Sequence, residues 1–392
     1  MSNNKTVRYG IIGLGNQGSY YLGKLFDRGL IPNAEVTALC DVNPVKLERA
    51  TEELETVHAV CFDDYRKLLD SGLCDAILVE TPHYLHSEIV TEALRRGIHV
   101  LCDKPAGVYT KQVREMNEVA ASSKALFAMM FNQRTNCVYR KMRELIAAGR
   151  LGELVRVNWI ITDWFRKQSY YDSGSWRATW DGEGGGVLIN QCPHQLDLVS
   201  WIVGELPVSV NGFCGYGRWH EIEVEDEVTA FFRYANGATG TFITTTGEAP
   251  GTNRLEISGT RGKLLCEGGK LWFFENEQDV AEVIRTSTEG FLAPPCQQIV
   301  VETDGQNPQH AGILCNFTAA ILGREPLFVN GLEGIRGVEL MNAIELSGWR
   351  GGATVTLPVD EDAYLAELER HRAASVRKQV DDGRVADTAG SF

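Results

Sequence analysis

The run Gly13-Leu14-Gly15-Asn16-Gln17-Gly18 has the residue types and spacing that hold a pyrophosphate. It directly follows the apolar run Tyr9–Ile12 and opens a helical pattern. In that context Gly13 permits a tight turn, Gly15 lets the backbone approach the phosphates, and Gly18 lets the helix pack closely. A helix N-terminus adds free N–H groups and a partial positive charge, so Asn16 and Gln17 belong to the same candidate cofactor site. Roughly 20 residues on, a second strand should end in an acid for the adenosine ribose, and Leu39-Cys40-Asp41 does. A carboxylate there repels a 2′-phosphate. The expected cofactor is NAD, with NADP the lesser candidate because Asn43 and Lys46 can soften the exclusion. A plain glycine turn with Asp41 capping the next helix is the simpler alternative.

Two other strand ends carry reactive side chains. Val100-Leu101-Cys102 runs into Asp103-Lys104-Pro105, and a second apolar run ends at Glu80-Thr81-Pro82-His83. In open α/β sheets ligands bind beyond the carboxyl ends of the strands, which places Lys104 near a bound nicotinamide. His83 and His86 suggest a metal pair, but the chain offers no third ligand, and no metal is expected. His86 is expected to cap or pack the following helix.

These groups depend on elements that the apolar pattern marks out. From Val7 to Met130 short apolar runs alternate with amphipathic stretches, as a parallel sheet with crossover helices requires. Strands are expected at Val7–Ile12, Glu35–Cys40, Ala76–Glu80, Val100–Cys102 and Leu126–Met130. Helices such as Gln17–Phe26, Tyr84–Arg96 and Lys111–Ser122 fill the gaps. This is an α/β Rossmann domain over residues 1–131. A helical stretch after Asn132 ends at Gly149 and leads into Glu153–Asp163, after which strands follow one another directly. Asn236-Gly237, between Val228–Tyr234 and Thr239–Thr245, is a two-residue hairpin signal. Residues 132–370 therefore read as an α+β domain with a large, mostly antiparallel open sheet, for substrate binding and oligomerisation. Helical patterns near Val187–Val203, His310–Leu322 and Glu333–Ser347 are available to cover one face. Residues 371–392 are polar and read as a C-terminal tail.

Composition limits the partners. Lys and Arg number 38 against 52 Asp and Glu, and the formal charge of −14 repels nucleic-acid phosphates. No segment has the apolar length to span a membrane, and Met1–Thr6 is short and polar where a secretory signal needs an apolar stretch. The ten cysteines are scattered without a Cys-x-x-Cys pair. Reduced thiols in a cytoplasmic protein are the expectation.

The glycine turn, Glu80-Thr81-Pro82-His83 and Asp103-Lys104-Pro105 together resemble the Gfo/Idh/MocA family of oxidoreductases, over nearly the whole chain. The resemblance implies that Thr81, Pro82, His83, His86, Asp103 and Asn132 lie beside the cofactor. It matches Lys104 to the catalytic lysine of the family's Glu-Lys-Pro motif, with Asp103 replacing the Glu. A later family segment, Gly-Gly-x-x-x-Asp-x-x-x-His, supplies an acid and a histidine facing the substrate. Here Asn190 stands in the place of the acid and His194 in that of the histidine. Asn190 can hydrogen-bond a hydroxyl but cannot act as a base. The implied catalytic pair is Lys104 and His194. Asp197, three residues on, could orient the imidazole or sit as a solvated helix residue.

Oxidising a secondary alcohol removes its hydroxyl proton as hydride leaves the carbon, so a base near the working pH is needed. A histidine fits without adjustment. A lysine acting as a neutral base near neutrality needs its pKa lowered by about 3 pH units, ~4 kcal/mol of environment. Lys104 is therefore expected to polarise the reacting oxygen, with His194 transferring the proton directly or through the lysine. Trp164-Phe165-Arg166 and Ser175-Trp176-Arg177 are dense in aromatic and basic groups, with Trp219-His220 as a further pair. Aromatic faces stack on sugar C–H faces and Arg bonds hydroxyls, so Trp164, Arg166, Trp176 and Arg177 join Asn190 as candidate substrate contacts. Packing beneath a loop is the alternative. The pattern is similar to family members acting on glycosides or anhydrosugars, including glycoside 3-dehydrogenases. The resemblance thus implies NAD-dependent oxidation of a ring hydroxyl of a sugar or glycoside, with carbon 3 a candidate position. Two competitors are an NAD-dependent glycosidase that oxidises transiently and eliminates, and a non-enzymatic sugar/NAD sensor. Retention of Lys104 and His194 argues against the sensor. A homodimer or homotetramer is expected, because in this family the open sheet face commonly forms the subunit contact.

Overall fold

The computed structural model describes residues 5–52 and 58–376. Its first sheet contains Val7–Ile12 (β1), Ala34–Cys40 (β2), Val60–Phe62 (β3), Ala76–Val79 (β4), His99–Cys102 (β5) and Phe127–Met129 (β6). The order is β3-β2-β1-β4-β5-β6, and every pairing is parallel. β4 and, from Tyr9 on, β1 are buried on both faces, which explains the unbroken apolar runs there. β3 escapes sequence patterning because it is short and lies at the sheet edge, with Val60 and Cys61 exposed. Ile12 pairs with Cys40 and Val79, Val79 with Cys102, and Cys102 with Met129, so these strands end level. Their next residues, Gly13, Asp41, Glu80, Asp103 and Met130, form one rim.

Two glycines of the turn are dictated by packing. Gly13 adopts φ +98°, and a Cβ on it would sit 2.5 Å from the Glu80 carbonyl oxygen. A Cβ on Gly18 would lie 2.0 Å from the Gly13 carbonyl oxygen. The helix starts at Asn16 and widens into π-type hydrogen bonding over Tyr21–Phe26.

The second sheet contains Leu154–Ile161 (β7), Ser209–Tyr216 (β8), Glu225–Arg233 (β9), Thr239–Thr245 (β10), Asn253–Gly259 (β11), Gly262–Glu267 (β12), Lys270–Asn276 (β13), Cys296–Val300 (β14) and Val355–Thr356 (β15). Its order is β14-β13-β12-β11-β7-β10-β9-β8-β15, antiparallel except where β7 meets β10. β9 alternates as a one-sided sheet must: Val228, Ala230 and Phe232 are buried while Thr229 and Arg233 are exposed. The helix Gly334–Trp349 covers that face; Gly212 of β8 has no room for a Cβ against Ile344.

Three sequence expectations change. The stretch Val187–Val203 is two helices, Val187–Asn190 and Pro193–Val203, because Pro193 fits only a first helical turn. Asn190 and His194 therefore do not share one helix face. The helix Gln309–Ile321 packs on β1 instead of covering the second sheet: the Tyr9 ring lies 6.5 Å from Phe317, and its hydroxyl lies 2.7 Å from Thr318 Oγ1. A buried tyrosine needs a partner for its polar tip, and this helix supplies it. Finally, the helix Glu361–Ala374 carries ordered structure past His371, whose ring stacks on Trp349 at 4.7 Å. The rest of the expected tail, from residue 377, lies outside the described residues. Among the described residues no helix is long and apolar enough to cross a membrane.

Candidate active site

The glycine turn follows β1 at the sheet's switch point and meets Asp41 at the end of the neighbouring β2. Asp41 Oδ2 accepts from the Leu14 N–H at 2.8 Å and Oδ1 from the Asn43 N–H at 2.9 Å. The carboxylate keeps lone pairs for hydroxyls, while Lys46 Nζ, 3.7 Å away, brings a positive charge to the same spot. A Cβ on Gly15 would meet no atom within 4 Å, and no side chain caps the helix that starts at Asn16. Open space beside uncapped N–H groups fits a dinucleotide pyrophosphate.

Further along the rim, Lys104 is drawn inward and donates to the Asn190 carbonyl oxygen at 2.8 Å. Burial lowers its pKa below the ordinary lysine value; Asp103, Glu183 and Cys192 oppose that fall, and Arg177 adds to it. His194, in the first turn of Pro193–Val203, is held well below the usual histidine range by burial, then by Lys104 and His310. Its imidazole is neutral near pH 7, and Nδ1 is buried without a hydrogen-bond partner. This corrects the expectation of an unadjusted histidine base. Burial weakens His194 as a base and moves Lys104 toward one.

The aromatic and arginine segments converge on Tyr170, which sequence reasoning did not single out. The Arg166 and Arg177 guanidinium groups lie over its ring at 5.3 and 4.8 Å. Arg177 donates to the Tyr170 hydroxyl at 3.1 Å, and that hydroxyl donates to Asn190 Oδ1 at 3.1 Å. Trp164 lies under Arg166 at 5.9 Å; Trp176 lies under Arg177 at 4.6 Å and edge-on to His83 at 6.2 Å. Asn190 Nδ2 donates to Glu183, a buried acid that also accepts from the Ala178 N–H at 2.6 Å. Burial pushes the Glu183 carboxyl up, against Arg177 and these hydrogen bonds. Glu183 thus restores an acid beside Asn190, and its place directly before the Gly184–Gly186 run is the signal that could have found it. His310 was also missed. It reaches the site from the helix on β1, where burial and Lys104 hold it down to about 4.

Several expected site residues have hydrogen-bond partners within the protein. His86 sets Nδ1 against the Pro105 carbonyl and Nε2 against the Thr81 carbonyl, both at 2.7 Å, so it ties two strand ends together and has no ring nitrogen left for a cofactor. His83 Nδ1 lies 3.1 Å from the Glu183 carbonyl oxygen. Asn132 donates to Gln309 Oε1 at 2.6 Å, while its own Oδ1 is buried and unpartnered. Asp197 does not orient His194; its two oxygens accept from Arg134 at 2.6 and 2.8 Å, because a buried carboxylate this far from water needs a cation. His220 is pinned between Asp226 and the Arg166 carbonyl at 3.0 Å each. Trp219 lines a different cavity of about 360 Å³ with Glu227, Thr229, Ile243 and Glu248. Among the described residues no group of three His, Cys, Asp or Glu side chains could hold a metal ion.

Comparison with known proteins places this architecture. Residues 7–131 match the model of an oxidoreductase family with an NAD-binding Rossmann fold, and residues 139–265 match the GFO/IDH/MocA C-terminal domain. The rhizopine catabolism protein MocA of Rhizobium meliloti is 27% identical over 52% of this chain, a match that spans 59% of that relative. Inositol 2-dehydrogenase of R. meliloti is 24% identical over 86% of this chain and 96% of its own length. The WlbA dehydrogenase from Bordetella pertussis, solved with NADH and UDP-GlcNAcA, superposes with a TM-score of 0.74 at 26% identity, covering 91% of this chain and all of that one (100%). With a level-ended parallel sheet, a glycine turn at its switch point and a lysine drawn toward the second sheet's helices, the chain belongs to the Gfo/Idh/MocA family of oxidoreductases.

Proposed function

We propose that the protein is an NAD-dependent dehydrogenase that oxidises a secondary ring hydroxyl of a sugar or glycoside to a ketone. The observation that carries this reading is the half-buried Lys104, held by the Asn190 carbonyl at 2.8 Å between the cofactor rim and the Tyr170 cluster. Gly13, Gly15, Gly18 and Asp41 would hold the dinucleotide, and the bound nicotinamide supplies the hydride acceptor. The chain's own groups do the rest. Lys104, as a partly desolvated ammonium, stabilises negative charge developing on the reacting oxygen. The hydroxyl proton passes to His194, neutral and with one unpaired ring nitrogen, directly or relayed through Lys104, which hands on one of its own protons as it takes the hydroxyl's. Arg166, Arg177, Trp164 and Trp176 present flat aromatic and forked donor surfaces suited to a sugar ring. Carbon 3 is the position to test first. NAD is favoured over NADP by the Asp41 carboxylate.

The test is a panel of free sugars, inositols and glycosides incubated with NAD⁺, with NADH absorbance and product analysis read together. Net NADH formation with a ring-ketone product is the expected result. Glycosidic cleavage without accumulating NADH would replace this reading with transient oxidation and elimination. Tight sugar binding with no turnover on the whole panel would leave a sensor.

A further inference from the structure

The rim of the first sheet carries two acids on neighbouring strands. Val79 pairs with Cys102, and the ladder runs one residue further: Asp103 N–H donates to the Val79 carbonyl at 3.0 Å, and Glu80 N–H to the Ile12 carbonyl at 2.8 Å. Glu80 and Asp103 therefore occupy adjacent rim positions at the switch point. A Cβ on Gly18 would lie 3.5 Å from the Glu80 Cβ, so Glu80 packs against the glycine turn itself. Both Glu80 carboxyl oxygens are buried and meet no hydrogen-bond partner. Asp103 Oδ1 accepts the Lys104 N–H at 2.9 Å.

A buried acid with no donor is costly as an anion, and two acids side by side favour holding a proton. Burial raises the Glu80 carboxyl well above the usual range, Asp103 raises it further, and Lys104 opposes. Asp103 is raised by burial against Lys104, His86 and its backbone hydrogen bond. The other titratable groups facing the pair are Tyr21 from the helix after the turn and Cys102 at the end of β5. Both are pushed well above their ordinary values by burial and then by these acids, so both are neutral. A structural acid in such a place would be paired. Glu80 is not.

Resting on the reading of this rim as the nicotinamide end of a dinucleotide site, we propose that Glu80 and Asp103 form an acid pair that distinguishes the oxidised from the reduced cofactor. The oxidised nicotinamide is cationic and binds with loss of the proton held by the pair; the reduced ring is neutral and binds with that proton retained. In the first case a carboxylic acid and a cationic ring give a carboxylate–cation pair and one proton released to solvent, and no electrons move. Affinity for the oxidised form accordingly rises with pH, and affinity for the reduced form does not.

Isothermal titration calorimetry of the full chain with NAD⁺ and NADH, and with NADP⁺ and NADPH, in buffers of different ionisation heat counts the protons released. For the dinucleotide that binds, the oxidised form is expected to release up to about one proton more than the reduced form. Glu80→Gln should abolish that difference, weaken the oxidised form about tenfold and leave the reduced form within about threefold. Retained binding of the reduced form reports an intact fold, and the wild-type proton count decides the matter even if the variant does not fold. Equal proton release by the two forms overturns the proposal and leaves the dinucleotide reading standing. Failure of all four dinucleotides to bind overturns both.

Discussion

The two ends of the proposed site are built in different ways. At the proposed dinucleotide end, contacts are local and mostly backbone: Gly13 to Gly18 and Asp41 lie within one strand–helix–strand unit. At the proposed substrate end, Tyr170, Arg177, Glu183, Asn190 and His194 lie on two helices, a loop and a third helix within residues 170–194, Lys104 comes from the first sheet's rim, and they depend on one another's side chains. Asn190 alone accepts from Lys104 and Tyr170 and donates to Glu183. A backbone cradle tolerates side-chain change around it, whereas a side-chain network transmits each loss.

The largest expected effect follows from removing the ammonium that this network holds. Lys104→Ala should lower kcat by about 10²–10⁴, the range for a group acting on a proton or oxygen in the transition state. Dinucleotide affinity should stay within about threefold, because nothing in the glycine turn touches the ammonium. Steady-state kinetics on a substrate from the panel and a dinucleotide titration separate the two quantities. Turnover surviving within about threefold would remove Lys104 from the chemistry.

The next effect concerns the helix that presents His194. Arg134 and Asp197 are each only 1% exposed, and the pair anchors Pro193–Val203. Arg134→Ala leaves a buried carboxylate without its cation and should cost about 3–5 kcal/mol of stability, read from a denaturant melt. A loss below about 1 kcal/mol would mean that Asp197 finds water or protonates freely, and that the helix is held by its apolar contacts alone.

How much of each end could be read from sequence follows from the same contrast. The turn, Asp41, the parallel strands and the Asn236-Gly237 hairpin are encoded by neighbours in the chain, and the structure places each as its local pattern requires. Lys104 was legible because strand ends in parallel sheets point toward the ligand crevice. Tyr170 carries no local mark and Glu183 only its place before the glycine run, since their roles arise from partners 7 to 20 residues away across irregular loops. Glu80 and His310 owe theirs to sheet register and to a helix nearly 300 residues from β1 in sequence. Asp197 misled by proximity: a three-residue spacing suggested His194, but charge satisfaction under burial selected Arg134, 63 residues earlier. His86 lies near the rim in sequence, and both of its ring nitrogens face carbonyls there.

A smaller effect tests the Tyr170 bridge. Tyr170→Phe keeps the ring under both guanidinium groups and removes the hydroxyl that joins Arg177 to Asn190. Losing a hydrogen bond to a charged group costs about 1.5–3 kcal/mol at most. A fall in kcat/KM of about tenfold, with dinucleotide binding unchanged, is expected. If the ring alone suffices, kcat/KM stays at the wild-type value and Arg177 is held by Trp176.

The smallest effect belongs to the local end. Asp41→Asn keeps an acceptor for the Leu14 N–H and for ribose hydroxyls but removes the negative charge. Lys46, 3.7 Å from that carboxylate, then faces the pocket without its counter-charge. A 2′-phosphate gains an attractive partner and loses a repulsive one, while a 2′-hydroxyl loses only the charge assistance to its hydrogen bond. NADP⁺ affinity should therefore rise and NAD⁺ affinity fall, each by about threefold, with kcat at saturating cofactor unchanged because the substrate network is not touched. Lys46 is partly exposed, so added salt should shrink the gain for NADP⁺. Should the two affinities move together, Asp41 acts by holding the turn's backbone and not by choosing the cofactor. Should kcat move as well, the two ends of the proposed site are coupled after all, through the level strand ends that join Asp41 to Asp103.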